Sequence, residues 1–142
     1  MKKTLIFSFI IFLAGLGCEK ANVKDSDLLK VRWTLSYIQD TKTKVITRYP
    51  DDASQKISVV FTDSLNFISF SGVCNGGGGI YSYSPVTHEI KITILGSTKI
   101  YCKYVDWEAY TAQSLDEALS YKINGNSLVI CSNGAYNLYF NN

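Results

Sequence analysis

Few residues of this chain have the types and spacing that chemistry requires. His88 is the only histidine, so any serine or cysteine nucleophile would need it as base and any zinc site would have a single imidazole. It stands in the turn Pro85-Val86-Thr87-His88 with no cysteine at ligand spacing, and no candidate nucleophile carries an elbow signature. A solvated loop residue is the expectation. Asp51 with Asp52, and Asp106 with Glu108, have the composition of an acid/base couple. The first pair, however, follows Pro50 in a turn, and the second reads as negative charge complementing a helix start. The run Gly76-Gly77-Gly78-Gly79 invites comparison with phosphate-cradling loops, yet it lacks the following Lys and Ser/Thr and leads into a strand pattern. Its expected use is a turn or bulge where backbones approach closely. This inventory supports no catalytic residue, no metal and no cofactor, and an enzyme is not expected.

Cysteines and tyrosines carry more information. Cys18 follows the small residues Gly15-Leu16-Gly17, which in turn follow Lys2, Lys3 and an apolar run from Leu5 to Leu16. That is the layout of a signal peptide. The run is too short for a membrane span, which needs roughly 20 apolar residues. The position of Cys18 resembles the bacterial lipobox, with Gly15 where Leu is usual, and implies cleavage before Cys18 and acylation of its thiol. Two or three acyl chains anchor stably where one is marginal, at about 0.8 kcal/mol per buried methylene. The expected location is therefore the cell envelope, lipid-anchored to a bacterial membrane, with the outer membrane as the expectation. Removing residues 1–17 takes Lys2 and Lys3 and leaves 12 basic against 12 acidic residues. Such a balanced surface gives no case for nucleic-acid binding, which needs a basic face.

Cys74, Cys102 and Cys131 remain, an odd number with three pairings open. Cys131 lies inside an apolar strand pattern, where a small buried thiol is expected. Cys74 and Cys102 both stand where strand patterns give way to irregular segments, which favours their pairing. The loop so closed would contribute roughly 3 to 4 kcal/mol on chain-entropy arguments. Aromatic residues make up 13% of the chain, enough to ask what they cover. Trp33, Phe61, Phe67, Phe70 and Trp107 fall at positions a strand or helix would turn inward. Tyr81, Tyr83, Tyr101, Tyr104 and Tyr110 lie near the glycine run or the helix, and the first four form a candidate surface patch for an envelope protein, peptide or glycan.

The elements that must position these groups are mostly strands. Glu19 to Asp27 is polar and reads as a tether, so the segments are 1–17 signal peptide, 18–27 lipidated tether and 28–142 folded domain. From Leu28 onward, short runs rich in Val, Ile, Thr, Tyr and Phe alternate at period two between Gly, Asn, Asp and Ser. Strands are predicted over 31–38, 44–48, 57–62, 66–71, 80–83, 89–94, 121–123, 127–132 and 136–140. Asn124-Gly125 and Asn133-Gly134 suit tight hairpin loops, so a three-strand meander should close the domain. Between 106 and 120, Trp107, Tyr110, Thr111, Leu115, Ala118 and Leu119 recur at helical spacing, with Asp106 as N-cap and Glu108 in the first turn. The expected fold class is α+β, a β-rich, curved or barrel-like antiparallel sheet with one amphipathic helix.

In order along the chain, Trp33-Thr34-Leu35, Gly72-Val73-Cys74-Asn75, Gly79-Ile80-Tyr81, Thr98-Lys99-Ile100-Tyr101-Cys102, Glu108 and Tyr121 to Leu128 resemble the META/HslJ-like domain. The likeness covers nearly everything after residue 28. The family reads G-C-N without the inserted Val73, and often has Met where Ile100 stands. The resemblance implies a compact β-rich domain, commonly exported and lipid-anchored, with Cys74 and Cys102 disulfide-linked. It implies associations with envelope stress and drug tolerance but no reaction. The expected function is thus a non-catalytic envelope lipoprotein that binds a partner or ligand or supports stress tolerance. An envelope hydrolase and a purely structural module are the alternatives.

Overall fold

The computed structural model describes residues 28, 29 and 31–142. The signal peptide, Cys18 and the tether expected from the sequence lie outside them. The described chain forms nine strands and one α-helix: β1 Arg32–Asp40, β2 Ile46–Arg48, β3 Ser58–Thr62, β4 Phe67–Ser71, β5 Gly76–Tyr83, β6 Ile90–Ser97, α1 Val105–Asp116, β7 Ala118–Asn124, β8 Ser127–Ser132 and β9 Tyr136–Asn141. All the strand pairings are antiparallel, in the order β6-β5-β4-β3-β1-β9-β8-β7, with β2 alongside the second half of β1. The sheet curls until its outer strands meet. Glu89 and Ser120 form a single bridge, Tyr121 N–H donates to the His88 carbonyl at 2.9 Å, and Asp116 of α1 accepts from Ile94 N–H at 2.9 Å. A barrel-like sheet with one helix is therefore the architecture.

Period-two alternation puts one face of each strand inside. Val59 and Phe61, Ile90 and Ile92, Tyr121 and Ile123, Leu128 and Ile130, and Leu138 and Phe140 line this interior. Trp33, Leu35 and Ile38 are all buried although their spacing breaks the alternation, because a register irregularity between Leu35 and Tyr37 shifts the phase of β1. A second irregularity between Ala118 and Ser120 does the same in β7, so Ala118 and Tyr121 both point inward while Leu119 is 56% exposed. Phe67 was expected inside but is 40% exposed, paired with Ile80 across β4 and β5 on the outer face. Trp107 is half-buried, edge-on to Tyr49 at 5.2 Å.

Two further expectations are corrected. The helix stops at Asp116, not near 120, because Ala118 onward pairs with β8. Its N-cap is Tyr104, without a side-chain cap bond, and not Asp106. The glycine run is neither loop nor turn: Gly76 to Gly79 are the first half of β5. The bulge expected there does exist, on the neighbouring strand, since the β5–β6 register skips between Gly78 and Gly79 and leaves Leu95 unpaired. Close approach explains the missing side chains. A Cβ on Gly77 would come 2.6 Å from the Phe70 ring, and one on Gly79 would strike the Thr93 carbonyl.

The connections fall at two ends. Leu29 bridges to Phe61, which places the chain's entry at the end of β3. The register pairs Thr62↔Phe67, Tyr83↔Ile90 and Asn124↔Ser127 set three hairpin tips at that entry end. At the opposite end lie the β4–β5 connection and α1, with Tyr110 of the helix packed 5.1 Å from Tyr136 at the start of β9.

Candidate functional site

The most organised polar cluster sits where the β4–β5 connection meets α1. Cys74 and Cys102 form a disulfide with Cα atoms 6.5 Å apart, which ties that connection to the segment leading into the helix. One turn further on, Glu108 is 4% exposed and points at the same connection. Its Oε1 accepts from the backbone N–H groups of Cys74 (2.8 Å) and Asn75 (3.2 Å), and its Oε2 from Asn75 Nδ2 (2.7 Å). A buried carboxylate is costly unless hydrogen-bonded; three donors meet that requirement. Asn75 is itself buried and fully used: Nδ2 also donates to the Ile100 carbonyl at 2.8 Å, while Oδ1 accepts from Ile100 N–H at 2.6 Å and Thr98 Oγ1 at 3.0 Å. Gly72 must be glycine here, because a Cβ would collide with the Glu108 carboxylate.

The local sequence explains the arrangement. Gly72 N–H bonds the Asn75 carbonyl at 2.7 Å and closes the connection on itself, so Cys74 and Asn75 present their N–H groups to one side. Glu108, Thr111 and Leu115 then share one helix face at i, i+3, i+7 spacing and are all buried against the sheet. Asp106 lies on the exposed face, so it and Glu108 are not a carboxylate couple. Asp51 and Asp52 are not one either, since they pair separately with Lys56 (3.4 Å) and Lys103 (2.6 Å). The Lys103 contact holds the exposed Asp52 carboxyl below its ordinary range.

The sulfurs of Cys74 and Cys102 and an oxygen of Glu108 lie within 4.8 Å of one another, the spacing of a metal-ligand set. Both sulfurs are bonded to each other, so neither is a thiolate ligand. What the cluster does is fix the segment 97–104. Beside that segment runs a groove of about 380 Å3, walled by Phe70, Ile100, Tyr101, Val105 and Ala109, with Asn75 and Glu108 at its base. Ile100 is 59% and Tyr101 91% exposed, although Asn75 holds the Ile100 N–H and carbonyl from below and Tyr101 directly precedes the disulfide-bonded Cys102. A larger groove of about 920 Å3 follows the seam between β6 and β7, lined among others by Glu89, Lys91, Asp116, Glu117 and Leu119.

The four-tyrosine surface patch is not assembled. Tyr81 is 4% exposed, packed edge-on to Phe61 at 5.1 Å, with its hydroxyl on the Thr62 carbonyl, and burial pushes its phenol up to about 12. Tyr83 continues that ring stack toward Tyr121 inside the entry end, whereas Tyr101 and Tyr104 lie at the helix end. His88 is half-buried against Tyr121 at a ring distance of 5.7 Å with φ of 59°, and is not the fully solvated residue expected. Cys131 is the free cysteine of the described residues and is half-buried on the outer side of β8, where a buried thiol was expected. Thr98 and Ile100 emerge as partners of Asn75 only in the structure; the segment Thr98-Lys99-Ile100-Tyr101-Cys102 stands out in the sequence, but the contact does not.

A β-rich, barrel-like α+β domain with a disulfide-tied connection and a buried Glu–Asn lock is the class defined by this fold and cluster. The META domain family model matches residues 26–142, and the chain belongs to that family. A DUF4847 family protein from Bacteroides vulgatus has a similar structure, with a TM-score of 0.63 at 12% identity over 80% of this chain and 93% of that one. A protein from Burkholderia xenovorans solved by NMR is similar with a TM-score of 0.64 at 17% identity, covering 82% of this chain and 83% of that one. These likenesses concern the fold. No curated protein matches the chain.

Proposed function

We propose that this META-domain protein is a non-catalytic, lipid-anchored envelope protein that uses the helix-end groove to hold an apolar segment of a partner. The observation that carries the reading is the use made of the most conspicuous polar residues. Asn75, Thr98 and Glu108 satisfy one another and the backbone, and together with the disulfide they brace a loop whose outward residues are Ile100 and Tyr101. A large aromatic side chain held on a rigid backbone makes contact at low entropic cost, which suits a binding residue. Anchoring at Cys18 rests on the sequence; among the described residues no helix is long and apolar enough to cross a membrane.

Two measurements test it. Intact mass of the mature protein, with and without reduction, reads the acyl mass on Cys18 and a gain of two hydrogen atoms at the disulfide; an unmodified N-terminal cysteine would end the anchoring reading. A photoreactive phenylalanine analogue placed at Tyr101 should give a discrete adduct in the envelope that Ile100→Asp abolishes, whereas the same probe at Lys122 gives none. Equal adducts at both positions would remove the groove as the binding surface.

A further inference from the structure

We propose that the entry end of the domain docks on the bilayer interface through two apolar hairpin tips, Leu65 and Val86, so that the helix-end groove faces away from the membrane. The proposal rests on the anchoring reading above and gives it an orientation. The geometry is set by where the described chain begins. Leu28 is 1% exposed with its carbonyl accepting from Trp33 Nε1, and Leu29 bridges Phe61, so the chain joins the domain at the end where β3 finishes. From Cys18 to Leu28 the backbone reaches at most about 35 Å even when fully extended. An acylated Cys18 therefore keeps this end within that reach of the lipid.

That same end has the surface the interface favours. The β3–β4 connection carries Leu65 at 89% exposure and the β5–β6 connection carries Val86 at 86%, while Phe67 and Ile80 form an exposed cross-strand pair just above. Leu65 holds a left-handed backbone with φ of 57°, uncommon for a residue other than glycine, and its 89% exposure leaves the side chain projecting from the tip. The entry-end connections 63–66, 84–89 and 125–126 contain Asp63 and Glu89 but no Lys or Arg. The connections toward the helix end carry Lys42, Lys44, Asp51, Asp52, Lys56, Lys99 and Lys103. The helix-end loops are rich in charge and stay in water, whereas the entry-end tips carry only Asp63 and Glu89 beside Leu65 and Val86, which are free to enter the headgroup boundary, so the two ends are sorted as a membrane would sort them. The tips themselves hold no Lys or Arg, so their own contact with the bilayer is apolar, while Arg32 stands at the same end at the start of β1.

The experiment uses the full lipidated chain in phosphatidylcholine vesicles with acyl-brominated phospholipid as quencher. Leu65→Trp and Val86→Trp, both at exposed positions, are compared with Asn133→Trp in the exposed turn at the helix end. Bromination should cut the emission added at 65 and 86 by about twofold or more and leave that at 133 unchanged, as expected for side chains reaching the acyl boundary. The same quenching should persist at high salt. Flotation of the vesicles separates the two readings: a chain that does not float overturns the anchoring and the docking with it. One that floats with equal quenching at 65, 86 and 133 keeps the anchor and overturns the docking.

Discussion

Glu108→Ala is the sharpest test of the structural account. The substitution removes a buried acceptor and leaves the N–H groups of Cys74 and Asn75 and one hydrogen of Asn75 Nδ2 without their partner. Hydrogen bonds to a charged group contribute about 1.5–3 kcal/mol each, and because these three share one acceptor their losses overlap. A total near 3–5 kcal/mol is expected, a large part of the roughly 5–15 kcal/mol that holds a domain together. At about 4 °C per kcal/mol for a domain of this size, Tm should fall by roughly 12–20 °C. Glu108→Gln keeps the volume and one acceptor but sets an amide N–H2 against Asn75 Nδ2, so about 1–3 kcal/mol should be lost. The measurement is equilibrium unfolding in urea followed by circular dichroism, with the disulfide intact. Asp106→Ala, on the exposed face of the same helix, serves as control and should stay within about 0.5 kcal/mol of the parent chain. If Glu108→Ala falls within about 1 kcal/mol of that control, the carboxylate does not brace the connection, and the functional reading built on a fixed 97–104 segment loses its support.

Three further outcomes follow from the same structure. Replacing both Cys74 and Cys102 by serine should cost about 3–4 kcal/mol, the unfolded-state entropy of a 28-residue loop; a loss seen only as reduced partner binding, with Tm unchanged, would contradict this. Gly79→Ala, whose Cβ meets the Thr93 carbonyl, should cost about 1–3 kcal/mol or prevent folding, while Gly96→Ala, with nothing within 4 Å of its Cβ, should stay within about 0.5 kcal/mol; equal unfolding midpoints would refute the close-approach explanation. Burial raises the phenols of Tyr49 and Tyr81 to about 12. The folded state therefore holds protons that the unfolded state releases near pH 10, and stability present below pH 10 should decline as pH rises toward 12. Unfolding measured across that window should show the decline at about 1–2 kcal/mol per tyrosine, and Tyr81→Phe should make it shallower; an unchanged slope in that variant would exclude the Tyr81 contribution.

Local pattern determined much of this protein. Period-two alternation marked most strands within a few residues, because they have one buried and one solvated face, which β2, exposed throughout, lacks. Asn124-Gly125 marked the β7–β8 hairpin, whose loop is Gly125-Asn126 with positive φ at Gly125, whereas Asn133 and Gly134 fall in a three-residue connection without positive φ. The cysteine positions and the neighbouring Gly, Asn, Thr and Glu marked the cluster without showing what each residue does. Tertiary structure decided the rest. The glycine run reads as a loop until β6 and the Phe70 ring are laid against it, and only then does absence of side chains become a requirement of a strand. Ala118 and Leu119 fit a helical spacing, but pairing with β8 outweighs that spacing and ends the helix at Asp116. Tyr81 and Tyr101 are alike as tyrosines near irregular segments; the curl of the sheet buries one under Thr62 and leaves the other on the rim of a groove. Glu108 reads as helix-start charge until Asn75, 33 residues earlier, is brought to it. Side-chain period is a property of one segment, whereas which face meets which donor depends on how distant segments are brought together, and no local stretch of sequence contains that information.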